Sequence, residues 1–158
     1  MKRLRVLVVI IIVLFCSVAG AEVPDEAWVL CRKEVNIRRS PTRHSEVISV
    51  AESGYYIELT GKKVGRWYQC DVPCEAGVGW IRGDYLVFDK PVNYAGGKLM
   101  WTSRKNVYAR YSIRGNKCAK LRKGTKVMVY MMSEEWSVTS RGFIMTKFLE
   151  EIEPDEEM

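Results

Sequence analysis

Hydrophobic and polar residues alternate in short runs along most of the chain. Val35 and Ile37 fall on one face of a period-two pattern, and the residues beside them are polar. Val127, Val129 and Met131 repeat this alternation, which is typical of half-buried strands. No window carries a helical stripe, and Gly, Ser, Asn or Pro interrupts the chain repeatedly. Short strands with such frequent breaks predict an all-β fold, a small sandwich or barrel.

This pattern occurs twice. Residues 32–38 align with residues 104–110 at an offset of 72 positions. A turn glycine, a tryptophan and a closing Gly-aromatic-Ile-x-x-x-aromatic-Leu motif then follow in the same order in each copy: Gly54, Trp67 and 79–86 in the first, Gly124, Trp136 and 142–149 in the second. Landmarks that recur in a constant order indicate an internal repeat of one structural unit.

The first 21 residues have the pattern of a secretory signal peptide. A basic start is followed by an apolar run over residues 6–16 and a small-x-small site at residues 19–21, so cleavage is expected before Glu22. The apolar run is shorter than the roughly 20 residues that span a bilayer. We therefore expect an exported protein, secreted or periplasmic, without a transmembrane anchor after cleavage.

The remainder divides into two domains and a tail. Residues 22–88 hold the first copy and residues 99–149 the second. Residues 89–98 between them contain Pro, Asn and Gly-Gly, which predicts a linker. The strongly acidic residues 150–158 predict a disordered tail. Each copy is so short that its core is expected to be marginal.

Four cysteines remain after cleavage: Cys31, Cys70, Cys74 and Cys118. An even number in an oxidising compartment predicts two disulfides, with three possible connectivities. The preferred bridge is Cys70–Cys74, because the residues between them read as a turn, which leaves Cys31 to pair with Cys118 and tie the two halves together. Free thiols or a metal site are the alternatives, although a metal site would require two close pairs or a nearby His.

The ordered landmarks resemble the bacterial SH3-like (SH3b) domain family. The matching residues of the first copy are Val35-Asn36-Ile37-Arg38-Arg39-Ser40-Pro41, Val47-Ile48, Gly54, Trp67-Tyr68, Gly79-Trp80-Ile81 and Tyr85-Leu86. The second copy departs at Tyr108, lacks the proline and has a shorter hairpin after Trp136. The resemblance implies an all-β protein with two small SH3-like β-barrels in tandem, the second diverged.

The chain offers little for catalysis. Its single histidine, His44, sits in a polar loop, and the cysteines that would pair with it are expected to be oxidised. A hydrolase needs a nucleophile, a base and an orienting group within reach of one another, and no stretch of chain is left over for a catalytic domain. The prediction is a protein that is not an enzyme and that requires no cofactor and no metal.

The resemblance implies a binding groove between the loop after the first strand and the hairpin that carries the tryptophan. Aromatic rings in such a groove supply apolar contact area at low entropic cost. The positions implied are Arg39, Ser40, Tyr55, Trp67 and Tyr85 in the first copy and Tyr111, Trp136 and Phe148 in the second. The competing interpretation is that several of these aromatics, with Trp80 and Phe143, fill the core instead.

Charge distinguishes the two halves. Residues 22–90 carry a net charge of −1, whereas residues 91–149 hold 12 basic and two acidic side chains. A basic patch is predicted at Lys117, Lys120, Arg122, Lys123 and Lys126. Outside the cytoplasm it would suit phosphate-bearing wall polymers or acidic lipid headgroups. It could equally meet the acidic tail or remain a solvated face, and export argues against nucleic acid as a partner.

These features together predict a non-catalytic exported binding protein. Its expected ligand is the cell wall, either peptidoglycan or its peptide cross-links, with affinity from an aromatic groove and a basic surface. The alternative is an adaptor or inhibitor that docks on another envelope protein.

Overall fold

The computed structural model describes residues 22–72 and 77–152, and over these residues the regular secondary structure is β-strand apart from two short 3-10 turns. The predicted signal peptide, Cys74 and the last six residues of the acidic tail lie outside the described residues. No helix in the described part is long and apolar enough to cross a membrane. The all-β prediction is confirmed.

The first half forms one antiparallel sheet of seven strands with the order β3-β2-β6-β5-β4-β1-β7. The strands are β1 (Glu26–Val29), β2 (Glu34–Arg38), β3 (Val47–Glu52), β4 (Tyr56–Val64), β5 (Trp67–Val72), β6 (Gly77–Arg82) and β7 (Leu86–Val87). A single 3-10 turn, Gly83–Tyr85, joins β6 to β7. This turn brings the end of the closing motif to the edge of the sheet.

The second half repeats this arrangement strand for strand, with the order β10-β9-β13-β12-β11-β8-β14. Its strands are β8 (Val92–Thr102), β9 (Val107–Arg110), β10 (Lys117–Leu121), β11 (Lys126–Met132), β12 (Trp136–Thr139), β13 (Gly142–Met145) and β14 (Leu149–Glu151). A 3-10 turn, Thr146–Phe148, again precedes the last strand. Among the described residues these are two seven-stranded sheets, and no pairing closes either into a barrel.

The predicted linker over residues 89–98 is wrong for most of its length. Strand β8 begins at Val92 and pairs with both β11 and β14. Its two glycines, Gly96 and Gly97, have φ of 81° and 88° and lie where the β8–β11 register shifts between Val129 and Met131. A Gly-Gly pair is as typical of such a β-bulge as it is of a connector. In this protein the pair belongs to an irregular strand.

Each sheet has its own apolar core, and a third cluster joins the two. Leu30 and Val87 of the first half pack with residues of the second half in this cluster, which we call the junction core: Leu30, Val87, Ile113, Met131, Val138 and Phe143. The Ile113 amide also donates a hydrogen bond to the Asp84 carbonyl oxygen at 3.1 Å. The two halves therefore pack directly on each other.

The predicted bridge between Cys31 and Cys118 is not present, and both are free thiols. Cys31 lies in the first core, whereas Cys118 packs against the second. Cys70 is also a free thiol, buried, with its Sγ 3.7 Å from the Gly79 carbonyl oxygen. Halves that share an apolar junction core do not need a covalent link to stay together.

Cysteine alkylation should follow burial. Desolvation raises the pKa of the Cys70 thiol to about 12 and raises that of Cys31 above its usual value. At pH 8 only about one Cys70 in ten thousand would be a thiolate, the reactive form. We expect iodoacetamide to modify half-buried Cys118 in the native protein and Cys31 and Cys70 only after unfolding. Peptide mass spectrometry measures this, and prompt native labelling of Cys70 would contradict it.

Candidate functional site

A groove of about 670 Å³ opens where the two halves meet, and we call it the junction groove. The loop before β2 and strand β2 itself form one side. Trp67 on β5, Arg82 on β6 and Tyr85 on the 3-10 turn contribute from the first half, and Tyr111 and Phe143 from the second. The first half therefore supplies most of the groove, and the second half completes it.

Three of the predicted ligand-binding aromatics, Trp67, Tyr85 and Tyr111, line the junction groove. Trp67 belongs to none of the apolar clusters, and Tyr111 is 71% exposed. Tyr85 differs, because it packs against the junction core with its ring centroid 6.4 Å from that of Phe143. Trp67 and Tyr111 thus offer aromatic surface to a ligand, whereas Tyr85 is also a packing residue.

Three other predicted positions of the first copy do not line the groove. The Arg39 Nε lies 2.7 Å from the Glu46 Oε2 in an exposed ion pair. The Ser40 amide donates to the Ser45 hydroxyl at 2.9 Å, which shapes the loop. Tyr55 is half exposed and is not among the residues that line the groove. The loop after β2 instead contributes Arg43 to the groove.

The predicted aromatics of the second copy do not form a second groove together. Trp136 packs against the junction core and lines a separate cavity of about 500 Å³ beside Glu134 and Glu135. Phe148 packs against the second core, with the Lys147 ammonium 5.3 Å from its ring. Tyr111 is part of the junction groove. The predicted aromatics of the second copy thus lie in three separate places.

The charge of the junction groove is mainly positive. Its lining contains one acidic residue, Glu34, and five basic residues: Arg32, Lys33, Arg38, Arg43 and Arg82. Arg38 is engaged by its own loop, because its Nη1 donates to the Ser45 carbonyl oxygen at 2.6 Å. Its equivalent in the second copy, Arg110, donates in the same way to Gly115 at 2.9 Å. The repeated arginine therefore has a structural role in both halves.

Arg82 and Asp84 form a pair that the sequence did not reveal. Asp84 is 2% exposed, and its carboxylate accepts a hydrogen bond from Arg82 Nη2 and lies 3.7 Å from Arg66 Nη1. The Arg82 guanidinium carbon is 6.0 Å from the centre of the Trp67 ring. Both residues occupy unspecified x positions of the closing motif, so the motif does not indicate that their side chains pair. The short 3-10 turn that begins directly after Arg82 brings the two side chains together.

All five residues of the predicted basic patch are exposed. Lys120, Arg122 and Lys123 line a cleft of about 620 Å³ together with Lys105, and we call it the basic cleft. Lys117 lies apart, with its ammonium 3.8 Å from the centre of the Tyr108 ring. Within the described part of the chain, none of these cations has a carboxylate within ion-pair distance. Over residues 22–72 and 77–152 the patch is therefore a surface of uncompensated positive charge.

The remaining titratable groups are dispersed. Across residues 22–72 and 77–152, no three His, Cys, Asp or Glu side chains come close enough to hold a metal ion. His44 is exposed in the loop after β2, where its amide donates to the Thr42 hydroxyl at 3.4 Å. The chemistry concentrated at the junction groove is that of guanidinium groups beside aromatic rings.

No protein-family model matches the chain, and no curated protein does. Two solved structures from Trichomonas vaginalis are similar to it. NlpC1 matches over 85% of this chain and 48% of its own, at 12% identity and a TM-score of 0.35. NlpC2 matches over 84% of this chain and 50% of its own, at 10% identity and a TM-score of 0.35. The chain spans about half the length of each, and likenesses this distant carry no argument about function.

Proposed function

We propose that this protein is an exported, non-catalytic binding protein that recognises the cell wall, either peptidoglycan or its peptide cross-links, in the junction groove. One observation carries the proposal: Trp67, Tyr85 and Tyr111 converge with a cluster of basic residues in a single concave site. Aromatic faces pack against sugar rings and peptide side chains. Guanidinium groups beside them pair with the carboxylates that such polymers carry.

The proposal includes the interpretation of the two sheets as tandem SH3-like domains. Two facts support it: the identical strand order of the halves and the landmarks that each copy shares with the SH3b pattern. It also includes export through a signal peptide at residues 1–21, supported by the basic, apolar and small-residue segments at the start of the chain. Export would bring the groove to the compartment where the wall is found.

The basic cleft would add a second contact in this proposal. Its four cations face solvent without carboxylate partners among the described residues, so an anionic wall polymer would gain their full attraction. Two weak contacts on one chain raise the overall affinity through effective concentration, without either being tight. The aromatic contact would supply selectivity and the cationic contact would supply attraction.

Co-sedimentation with purified peptidoglycan sacculi tests this function. Protein lacking residues 1–21 should pellet with sacculi at low salt and release partly at molar salt, because salt screens the exposed cations while aromatic contacts persist. The adaptor alternative predicts that the protein stays in the supernatant with sacculi alone. That result at low salt would refute wall binding.

Trp67→Ala should weaken sacculus binding about tenfold or more, as expected for a tryptophan that anchors an interface. The melting temperature should fall by less than about 3 °C, because Trp67 lies outside all the apolar clusters and surface changes cost little stability. Binding isotherms and differential scanning calorimetry measure the two effects. Tyr55→Ala is the matched control, half exposed and outside the groove, and should leave both unchanged. A large loss of stability in Trp67→Ala would assign this ring to the core.

A further inference from the structure

We infer that the junction groove binds the free carboxylate of a peptide and that Arg82 is the residue that binds it. This inference rests on the proposed function and specifies the class of ligand. Arg82 lines the groove with 37% of its side chain exposed. Its side chain is therefore accessible to a ligand in the groove.

The position of Arg82 is set from two sides. Asp84, buried on the 3-10 turn, accepts a hydrogen bond from Arg82 Nη2, and the Trp67 ring lies beside the guanidinium at 6.0 Å. A guanidinium that is held by a buried carboxylate and an aromatic ring keeps one orientation. It then loses little conformational entropy when a ligand binds.

Arg82 also retains donors for a ligand. Among the described residues only its Nη2 makes a hydrogen bond, whereas its Nε is buried without a partner. Nη1 likewise donates to no described group. The buried Nε is out of reach of a ligand, so the terminal edge of the guanidinium is the part that is available. A carboxylate fits this edge, because its two oxygens can accept from Nη1 and from the second hydrogen of Nη2. Arg38, in contrast, already uses a terminal nitrogen on its own loop at 2.6 Å.

The surroundings favour a small carboxylate over a phosphate-rich polymer. Beside Arg82 the groove presents Trp67 and Tyr111, which suit the apolar part of a peptide, and Glu34, which would repel a polyanion and attract an amino group. The basic cleft has the opposite character, with four cations and neither an acidic nor an aromatic residue in its lining. The two sites therefore select different anions.

The carboxylate site depends on the contact between the halves. The carbonyl oxygen of Asp84, the residue that holds Arg82, accepts the hydrogen bond from the Ile113 amide of the second half at 3.1 Å. Tyr111, two residues before Ile113, lines the same groove. One short segment of the second half thus supports the turn and completes the site.

Muropeptides released from sacculi by a muramidase provide the test, used either untreated or with their carboxylates converted to methylamides. By calorimetry, the protein without residues 1–21 should bind the untreated fragments at least about tenfold more tightly than the methylamidated ones, because the methylamide removes the paired carboxylate oxygens. Arg82→Gln should abolish this preference. Arg82→Lys keeps a cation beside Asp84 but lacks the fork, and it should lose most of the preference while remaining folded by its melting curve.

The control is Arg104→Gln, which removes the same charge from an arginine that also lies beside an aromatic ring, 5.7 Å from that of Phe148 and outside the junction groove. It should keep the wild-type preference. Sacculus binding with no preference for free carboxylates, or with full preference in both Arg82 variants, would overturn this inference and leave wall binding intact. A wild-type protein that binds neither sacculi nor fragments would refute the proposed function itself.

Discussion

Phe143→Ala should lower the free energy of unfolding by about 3–5 kcal/mol, the range for removing a buried phenylalanine. Phe143 is 1% exposed and is the largest fully buried side chain in the described part of the protein. It lies in the junction core, against the Tyr85 ring. Its removal would leave a cavity lined by both halves, and neither sheet can close that cavity without moving relative to the other.

Urea unfolding followed by tryptophan fluorescence measures this loss. Phe88→Ala is the control, because Phe88 is 44% exposed, and its replacement should cost less than about 1 kcal/mol. Because Phe143 also lines the junction groove, Phe143→Ala should weaken ligand binding as well. A loss below about 1 kcal/mol in this variant would show that the junction core contributes little to stability.

Gly142→Ala should be the most damaging of the glycine substitutions, at about 2–4 kcal/mol. Gly142 has a φ of 122°, and a Cβ there would lie 2.6 Å from the Arg110 carbonyl oxygen. A backbone carbonyl in a paired strand cannot move aside as a flexible side chain can. The substitution would therefore push β13 away from β9, the pairing that holds Phe143 opposite Arg110.

Gly124→Ala separates crowding from backbone strain. Gly124 also has a positive φ, 76°, but a Cβ there would meet nothing within 4 Å. It should cost only about 1–2 kcal/mol, the penalty for a side chain in the left-handed region. Equal losses in the two variants, measured by urea unfolding, would show that the contact with the Arg110 carbonyl is relieved and that strain alone determines the cost.

In the closing motif, the repeat predicts the role of the glycine but not the role of the aromatic residue after it. Its first glycine occurs in both copies because neither site has room for a side chain: a Cβ at Gly79 would lie 2.4 Å from Ile37 Cγ2. The aromatic residue that follows this glycine has a different role in each copy. Phe143 is fully buried in the junction core, whereas Trp80 is half-buried and belongs to none of the apolar clusters. The shared motif therefore indicates a position without room for a side chain, but it does not indicate whether the next ring is buried.

Only part of the site follows from local sequence patterns. The place of Trp67 in the predicted hairpin indicates a ligand-binding residue, and Trp67 lies in the junction groove. Arg82 and Asp84 carry no such indication, because two residues apart in a strand-to-turn segment they give no periodic signal. The resemblance places Tyr111 in a groove of the second copy, yet it lies in the one at the junction. Contacts between halves join residues that no local spacing relates.

Local patterns by themselves determined the all-β class, the repeat and the strong positive charge of the second half. Alternation reports which face of a strand is buried, and a repeated alternation produced two sheets with one strand order. Tertiary structure alone decided that the Gly-Gly segment is a bulged strand, that Cys31 and Cys118 stay apart as thiols, and that Arg82 faces a groove shared by both halves. These outcomes depend on how two apolar surfaces dock, and the free energy of docking is set by shapes that only the folded chain possesses.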